Sequence, residues 1–232
     1  MRLESKPHHQ TIINAPESTA MIEVHHLNNS RSHRILWLLE ELALPYEVIA
    51  YQRDPATMSA PAALYKIHPL GKSPVIKDGE LVLAESGAIV EFLVGKYGKG
   101  ALVPTPGSAA HAQYLYWLHF AEGSAMTQLI LKLYLSRVPT ETGVAAALMT
   151  RVNGQISTQL DYMESVLVKQ PYFAGDAFSA ADIQMSFPII AATARGGLDA
   201  TRPKLMDYLA RLQGRPAFER ANERGGKLTL GT

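Results

Sequence analysis

The loop at residues 28–32 (NNSRS) places serine hydroxyls between a predicted strand and a predicted helix. A hydroxyl at this point could donate a hydrogen bond to a thiolate. Together with the positive end of the helix, that hydrogen bond would lower the pKa of a bound thiol, which is about 8.5 when free. Ser32 as a simple N-cap is the structural alternative for that residue, and it leaves Ser30 available for function.

A second candidate segment is residues 71–75 (GKSPV), directly before another predicted strand. A cis bond between Ser73 and Pro74 would turn the main-chain N–H and C=O of Ser73 outward, where an extended peptide could pair with them. A trans proline that opens an edge strand is the alternative. Local sequence by itself favours the alternative, because few X-Pro bonds in folded proteins are cis.

A third candidate is the pair Glu85-Ser86, between the last predicted strand and the helix that follows it. Main-chain amides and a hydroxyl at a helix N-terminus suit an anion, and the neighbouring carboxylate suits an ammonium group. The two residues together could therefore bind a zwitterion. An ordinary helix cap with a favourable first-turn charge is an equally good interpretation of the pair taken alone.

Aromatic side chains are concentrated in the first helix predicted for the second half of the chain. Tyr114, Trp117 and Phe120 could form one wall of an apolar ligand pocket. Aromatic residues spaced along a helix are more often part of a core or a subunit interface. Tyr116 lies on the same helix, and we expect only one or two of these four residues to reach a ligand.

Hydrophobic periodicity predicts two domains with different architectures. Residues 21–98 read as β-α-β-α-β-β-α, with two parallel strands first and an antiparallel hairpin around Asp78-Gly79. Residues 99–108 have the Gly and Pro content of a linker. Residues 109–232 are predicted to be all-α, with helices at about 109–136, 141–168, 180–195, 203–213 and 216–224.

Composition excludes several classes of function. The 232 residues contain 22 Lys plus Arg against 21 Asp plus Glu, so no strong field exists to attract nucleic acid. The chain has no cysteine, which excludes disulfides, thiolate metal sites and a protein thiol as nucleophile. Any sulfur chemistry must therefore come from a bound ligand.

Targeting and metal signals are also missing from the sequence. No apolar run approaches the ~18 residues of a membrane span, so no membrane partner is expected. Residues 1–20 lack the apolar centre of a secretory signal, which predicts a polar N-terminal extension on a cytoplasmic protein. The adjacent histidines His25 and His26 have no further ligand at metal-motif spacing, so we expect no metal and assign them a structural or surface role.

Over residues 21–224 the chain resembles the cytosolic glutathione transferase family. The resemblance is carried by the segments NNSRSHRILWLLEELALPYEV, KIHPLGKSPVI, LAESGAIVEFL and SAADIQMSFP. It is most similar to fungal and bacterial members with a serine-type loop. The resemblance implies a thioredoxin-like domain at 21–98, an all-helical domain at 109–232 with the hydrophobic co-substrate site, a homodimer, and a detoxification role in the cytoplasm.

The resemblance also implies how glutathione, as co-substrate, would be held. Pro74 matches the cis-proline of the family, and Ser73 would supply the main-chain pair for the cysteinyl part. Glu85 and Ser86 would hold the γ-glutamyl end. Lys72 would meet the glycine carboxylate as a point charge. No covalently bound cofactor is expected.

Ser30 corresponds best to the serine with which serine-type members stabilise the thiolate, because it lies four residues before Arg34. Asn29 or Arg31 could substitute for it. The thiolate would then attack a small hydrophobic electrophile or a peroxide bound near the aromatic residues of the helical domain. Glu122 is expected to contact the γ-glutamyl amine across the dimer.

Two other functions are compatible with the same family. One is a glutathione-dependent peroxidase or disulfide reductase that uses no protein cysteine. The other is a non-catalytic interaction module that shares the fold. The combined presence of Lys72, Ser73-Pro74 and Glu85-Ser86 argues against the module, because a pure scaffold does not need all of them.

Overall fold

The computed structural model describes residues 21–139 and 143–230, so the predicted extension at 1–20 lies outside the described residues. The first domain has the predicted mixed α/β architecture. A short 3-10 helix, Ala62–Lys66, replaces the helix expected after the second strand. The strands and helices are β1 Ile22–Leu27, α1 Ser32–Glu41, β2 Tyr46–Tyr51, β3 Val75–Asp78, β4 Leu81–Ala84 and α2 Ser86–Tyr97.

The four strands form one mixed sheet in the order β2-β1-β3-β4. β1 and β2 are parallel and run in register from Ile22 opposite Tyr46 to Leu27 opposite Tyr51. β3 is antiparallel to β1, and β3 and β4 form the predicted hairpin. Because β1 lies in the middle of the sheet, the loop that follows it opens at the carboxyl edge, where α/β folds place ligands.

Helix α1 follows β1 because its apolar residues recur at helical spacing and because Pro45 prevents its continuation. Its buried residues include Ile35, Leu36 and Leu38. The helix begins one residue earlier than an N-cap role for Ser32 would require. Arg31 occupies the N-cap position without a side-chain capping bond. Ser32 is therefore the first helical residue, and its hydroxyl is free for other contacts.

The second domain is helical, as predicted, and its described residues, 109–139 and 143–230, include two π-helical segments. Ala121–Met126 divides the long helix expected over 109–136, and Ala192–Gly196 extends the helix predicted at 180–195. A π-helical segment changes the direction in which the side chains on either side of it point. The α-helices are α3 Ala109–Phe120, α4 Thr127–Leu135, α5 Gly143–Leu167, α6 Ala180–Ala191, α7 Pro203–Gln213 and α8 Pro216–Gly225.

Helix α6 is the centre of the helical domain, since every one of its residues is buried. It begins at the capping box between Ser179 and Asp182 that its sequence predicts. Helix α8 packs instead on α1 and β2 of the first domain. Within the described part of the chain, no helix is both long enough and apolar enough to cross a membrane.

Candidate functional site

The loop between β1 and α1 lines a cavity of about 120 Å³ at the boundary of the two domains. Asn29, Ser30 and Arg31, the three candidates for contacting a thiolate, all contribute to its wall. The remaining wall residues come from other parts of the chain: Arg53, Met126, Leu129, Ile130, Leu133, Phe187, Ala191, Arg195 and Leu230. The fold therefore places the predicted loop against an apolar surface of the helical domain.

A larger and more open depression, of about 290 Å³, lies between the end of α5 and α7. Its lining includes Lys169, Lys204 and Arg211 and none of the predicted site residues. No residue of the β1–α1 loop lines this depression, so the smaller cavity is the candidate site.

The apolar wall of the cavity comes from α4 and α6 and not from α3. Trp117 is fully buried, with its ring centroid 4.3 Å from that of Phe173 and 5.4 Å from that of Tyr162. Tyr114 is also buried, and neither residue reaches the cavity. Phe120 packs on the Trp117 ring. None of the three lines this cavity, because Tyr114 and Trp117 pack into the interior of the helical domain and the partly buried Phe120 packs against it, so their predicted role in the co-substrate pocket stays a prediction.

Ser30 is the first member of a chain of side-chain hydrogen bonds. Its Oγ lies 2.8 Å from Oγ of Ser32 and accepts a 3.3 Å hydrogen bond from the Ser32 main-chain N–H. The Ser32 hydroxyl lies 2.8 Å from Nδ1 of His26. Nε2 of His26 lies 2.9 Å from the carbonyl oxygen of Gly225 in α8. Ser30 is thus held by partners that extend to the opposite end of the chain.

The segment before β3 lies beside the end of β1. The Ser73–Pro74 bond is cis, the geometry that the family resemblance implies and that local sequence does not favour. The Ser73 hydroxyl donates to the His25 carbonyl at 2.8 Å and accepts from the Leu27 N–H at 3.1 Å. Because the β1–β3 ladder begins only at Val75, the main chain of Ser73 lies outside it. Lys72 is exposed.

Glu85 and Ser86 lie at the N-terminus of α2 with different degrees of exposure. Glu85 is exposed and has a left-handed backbone with φ of 70°. Strained conformations of this kind concentrate at functional sites. Ser86 is buried, and its hydroxyl accepts hydrogen bonds from Nη2 of Arg34 at 2.9 Å and Nε2 of Gln184 at 3.1 Å. The first-turn amides of α2 have no intrahelical acceptor, as at any helix start.

Arg34 and Glu122 link the two domains next to the cavity. Glu122 Oε1 accepts from Nη2 of Arg34 at 2.5 Å, and Oε2 accepts from Nε of Arg31 at 2.8 Å. Burial raises the pKa of the Glu122 carboxyl, but the two guanidinium groups outweigh burial and hold that pKa below its usual value. Glu122 is expected to contact the γ-glutamyl amine across a dimer, whereas here its carboxylate binds Arg31 and Arg34 of its own chain.

The rim of the cavity carries positive charge. Arg53 donates to the main-chain carbonyls of Asn28 and Met58, at 3.3 and 3.0 Å. Its guanidinium lies close enough to Arg31 for the two charges to oppose each other. Arg195 lines the opposite, helical side of the cavity. The cavity therefore combines apolar walls with arginine side chains at its edge.

Sequence reasoning missed two groups of residues at this site. His26 and Ser32 are given structural roles, and nothing in the local sequence links His26 to Ser30 through Ser32. The wall around α4 does have a local signal, because Met126, which ends the π-helical segment, and Leu129, Ile130 and Leu133 of α4 follow the i, i+3, i+4, i+7 spacing of one helix face. That face could be identified from sequence, but not the cavity that it lines.

Comparisons with known proteins agree with this architecture. A family model described as "Glutathione S-transferase, N-terminal domain" matches residues 20–95, and one described as "Glutathione S-transferase, C-terminal domain" matches residues 146–211. "Glutathione S-transferase 3" of Schizosaccharomyces pombe is 41% identical over 182 residues, which is 74% of this chain and 74% of the relative.

Two solved structures extend the comparison. A glutathione S-transferase from Actinobacillus pleuropneumoniae is 34% identical, with a TM-score of 0.82 over 90% of this chain and 94% of that one. A theta class glutathione S-transferase from Xanthomonas axonopodis pv. citri, with glutathione bound, is 28% identical, with a TM-score of 0.71 over 90% and 99%. With sequence identity above 40%, both domains matched and the fold reproduced, this chain belongs to the glutathione S-transferase family.

Proposed function

We propose that the chain activates the thiol of glutathione for attack on hydrophobic electrophiles, with the Ser30 hydroxyl as the group that stabilises the thiolate. The observation that carries this assignment is the position of Ser30 in the wall of the domain-boundary cavity, opposite the apolar side chains of α4. A sulfur held beside Ser30 would meet an apolar co-substrate directly. The N-terminus of α1 would add a favourable field for the negative charge.

The cysteinyl part of glutathione would lie along the main chain of Ser73. This position is supported by the two hydrogen bonds of the Ser73 side chain to β1, which hold the residue next to the β1–α1 loop. An extended peptide that pairs with Ser73 would continue the sheet by one short strand. Its sulfur would then point toward the loop that carries Ser30.

The two ends of glutathione would be held by charged groups outside the cavity. The exposed Glu85 carboxylate suits the γ-glutamyl ammonium group, and the free amides at the start of α2 suit the neighbouring carboxylate. The Ser86 hydroxyl accepts from two protein donors and still has its own hydrogen to donate to that carboxylate. Lys72 is exposed and suits the glycine carboxylate.

The co-substrate would occupy the cavity between the Ser30 loop and α4. Leu129, Ile130 and Phe187 supply apolar surface, and desolvation by such walls favours attack by a thiolate. We further propose a homodimer that acts in the cytoplasm as a detoxification enzyme, which is the common assignment for this family. Peroxide or disulfide reduction and a purely scaffolding role have no observation in their favour here.

Kinetics with glutathione and chlorodinitrobenzene test the function and the role of Ser30 together. We expect conjugation by the wild type and a roughly 100-fold lower kcat/KM for Ser30→Ala, the loss typical of removing one donor to a developing anion. Thiolate absorbance of bound glutathione gives the thiol pKa, which should rise in the same variant. Parallel assays with cumene hydroperoxide and a small disulfide compare the alternative reactions.

The matched variants are Asn29→Ala and Arg31→Ala, which alter the neighbours of Ser30 in the same cavity wall. If Ser30→Ala leaves the rate and the thiol pKa unchanged while one of these two variants lowers the rate and raises the pKa, the assignment of Ser30 is wrong. If calorimetry detects no binding of glutathione at millimolar concentration, the enzymatic function itself is wrong.

A further inference from the structure

The direction of the hydrogen bonds behind Ser30 follows from its last acceptor. The carbonyl oxygen of Gly225 can only accept, so the 2.9 Å contact requires a hydrogen on Nε2 of His26. Burial lowers the pKa of His26 and favours the neutral ring, whose Nδ1 then carries a lone pair. The Ser32 hydroxyl therefore donates to Nδ1, 2.8 Å away, in preference to the Leu27 carbonyl oxygen, which lies 3.4 Å away. The Oγ atom of Ser32 then accepts the hydrogen bond that the Ser30 hydroxyl donates.

This direction turns the only hydrogen of the Ser30 hydroxyl away from the cavity. In the free protein that hydrogen is donated to Ser32, so it is not available for an anion in the cavity. The chain can be reversed without breaking any contact if Nδ1 of His26 gains a proton. His26 then donates to Ser32, Ser32 donates to Ser30, and Ser30 donates into the cavity.

We propose that His26 accepts the proton of the glutathione thiol through the hydroxyls of Ser32 and Ser30. The thiol hydrogen passes to Oγ of Ser30 as the hydrogen of Ser30 passes to Oγ of Ser32 and that of Ser32 passes to Nδ1. One S–H bond breaks and one N–H bond forms. The neutral thiol and neutral imidazole become a thiolate and an imidazolium, so the total charge is unchanged. This inference rests on the proposed function.

The step leaves each group with the partners it needs. The thiolate receives the Ser30 hydrogen bond and lies near the N-terminus of α1, which stabilises negative charge. The imidazolium keeps its Nε2 bond to the Gly225 carbonyl, a contact that favours the protonated ring. Ser32 remains a donor and an acceptor throughout, and it also accepts from the Leu27 N–H at 3.3 Å. Ser32 is a positioning residue in this sequence of transfers.

The charged groups around His26 are engaged elsewhere. His33 of α1 lies close enough for the charge of His26 to lower the pKa of His33. Nε2 of His33 is itself hydrogen-bonded to the Asn222 side chain. Arg224 of α8 donates to the Tyr46 carbonyl of β2. Among the described residues, the ring nitrogens of His26 contact only Ser32 and Gly225.

The charged groups on the neighbouring strands lie near the ring of His25 and not near that of His26. His25 alternates with His26 along β1, so the two rings lie on opposite faces of the sheet. His25 lies near Glu23 and Lys77 and bonds to the Tyr51 hydroxyl of β2. On the loop side of His26, the Arg31 guanidinium is neutralised by Glu122. The route from the cavity to Nδ1 therefore passes through the two hydroxyls.

Nitrogen NMR of histidine-labelled protein tests the proton acceptor directly. We compare the protein saturated with glutathione and with S-methylglutathione, which lacks a thiol hydrogen, near neutral pH. The nitrogen resonance of His26 Nδ1 is assigned as the signal that disappears in His26→Asn. With glutathione, but not with S-methylglutathione, its chemical shift should change from that of an unprotonated to that of a protonated ring nitrogen. If thiolate absorbance appears while Nδ1 stays unprotonated, the proposal is overturned.

Steady-state kinetics of His26→Asn test the same proton transfer through its effect on activity. An asparagine oxygen can accept from Ser32 but cannot take up a proton. We expect a higher pKa for the bound thiol, a roughly 100-fold lower kcat at neutral pH that recovers at alkaline pH, and an unchanged KM for glutathione. His25→Asn is the matched control, because it alters the adjacent histidine on the other face of the sheet and should leave the thiol pKa unchanged.

Ser32→Ala interrupts the route while leaving Ser30 and His26 in place, and it provides a second test if His26→Asn does not fold. The same rise in thiol pKa is expected. A purely structural role would lower stability without moving that pKa. If the wild type conjugates glutathione but both variants keep the wild-type thiol pKa, the relay is wrong and the proposed function stands. If the wild type does not conjugate glutathione, the proposed function is wrong.

Discussion

The Arg34 guanidinium donates to the Glu122 carboxylate at 2.5 Å, and this ion pair joins the two domains beside the cavity. Arg34 is on α1 of the first domain and its side chain is completely buried, whereas the Glu122 side chain in the π-helical segment is 31% exposed. Arg34 also donates to Ser86 and to the Gln184 carbonyl. One carboxylate therefore neutralises a buried cation that organises the domain interface.

Glu122→Gln should destabilise the protein by about 2 kcal/mol, because it leaves the buried Arg34 charge uncompensated. This value is below the range of roughly 3–5 kcal/mol for fully buried pairs, since Glu122 is partly exposed to solvent. Urea unfolding measures the difference. Glu91→Gln is the control, because Glu91 and His119 form an exposed pair at 3.7 Å and should contribute little. Equal losses in the two variants would contradict the assigned role of Glu122.

The stability difference between the wild type and Glu122→Gln should depend on pH. The pKa of Glu122 in the folded protein is below its usual value of 4.5, so the unfolded chain binds a proton more readily than the folded protein does. The contribution of this group is complete above pH 4.5 and is lost as the pH falls through the folded-state pKa. Urea titrations at several pH values should show a constant difference at neutral pH that narrows in acid.

Because of His33, the free energy of unfolding should fall as the pH is lowered from neutral toward 4. Burial lowers the pKa of His33 from 6.5 to about 4, so below pH 6.5 the unfolded chain binds a proton that the folded protein excludes. The resulting loss reaches about 3 kcal/mol near pH 4. His33→Gln cannot titrate and should show a flatter pH dependence in urea unfolding. His119→Gln, at an exposed histidine, should follow the wild type. Parallel curves for all three proteins would refute this prediction.

Asp182 should be among the most destabilising positions to mutate in the helical domain. Its buried carboxylate accepts from the main-chain N–H groups of Phe173 and Ser179 and from the Tyr208 hydroxyl at 2.7 Å. Asp182→Ala leaves these donors without an acceptor, at a cost of at least about 3 kcal/mol. Thermal or urea unfolding of the wild type and the variant measures this loss of stability. The exposed Asp176→Ala serves as control, and a loss below 1 kcal/mol for Asp182→Ala would show that the network contributes little.

Substitution of Ile130 should weaken catalysis with the co-substrate and leave glutathione binding unchanged. It lines the cavity from α4, so Ile130→Ala removes apolar contact and should lower kcat/KM for a hydrophobic electrophile about tenfold, with KM for glutathione unchanged. Tyr134→Ala, on the exposed face of the same helix, is the matched control. Steady-state kinetics with each substrate varied in turn make the measurement. An equal effect of the two variants would place the co-substrate elsewhere.

Local sequence determined most of the secondary structure. The apolar spacing of α1, the Asp78-Gly79 turn and the Ser179–Asp182 capping box each depend on residues only a few positions apart, and each predicted the element that the structure contains. The loop at residues 28–32 was identified for the same reason, because its serines follow a strand and precede a helix. Patterns of this kind can be read directly, since neighbours in sequence are neighbours in space.

Tertiary structure alone decided the contacts that complete the site. His26 meets Gly225 across 199 positions, and Arg34 meets Glu122 across 88. Helix α4 lines the cavity, while Tyr114 and Trp117 of the more aromatic α3 pack into the core, although both helices have apolar faces. Periodicity reveals that a face is apolar but not what it packs against. The partner depends on how distant helices pack together, and that arrangement is set by the whole chain.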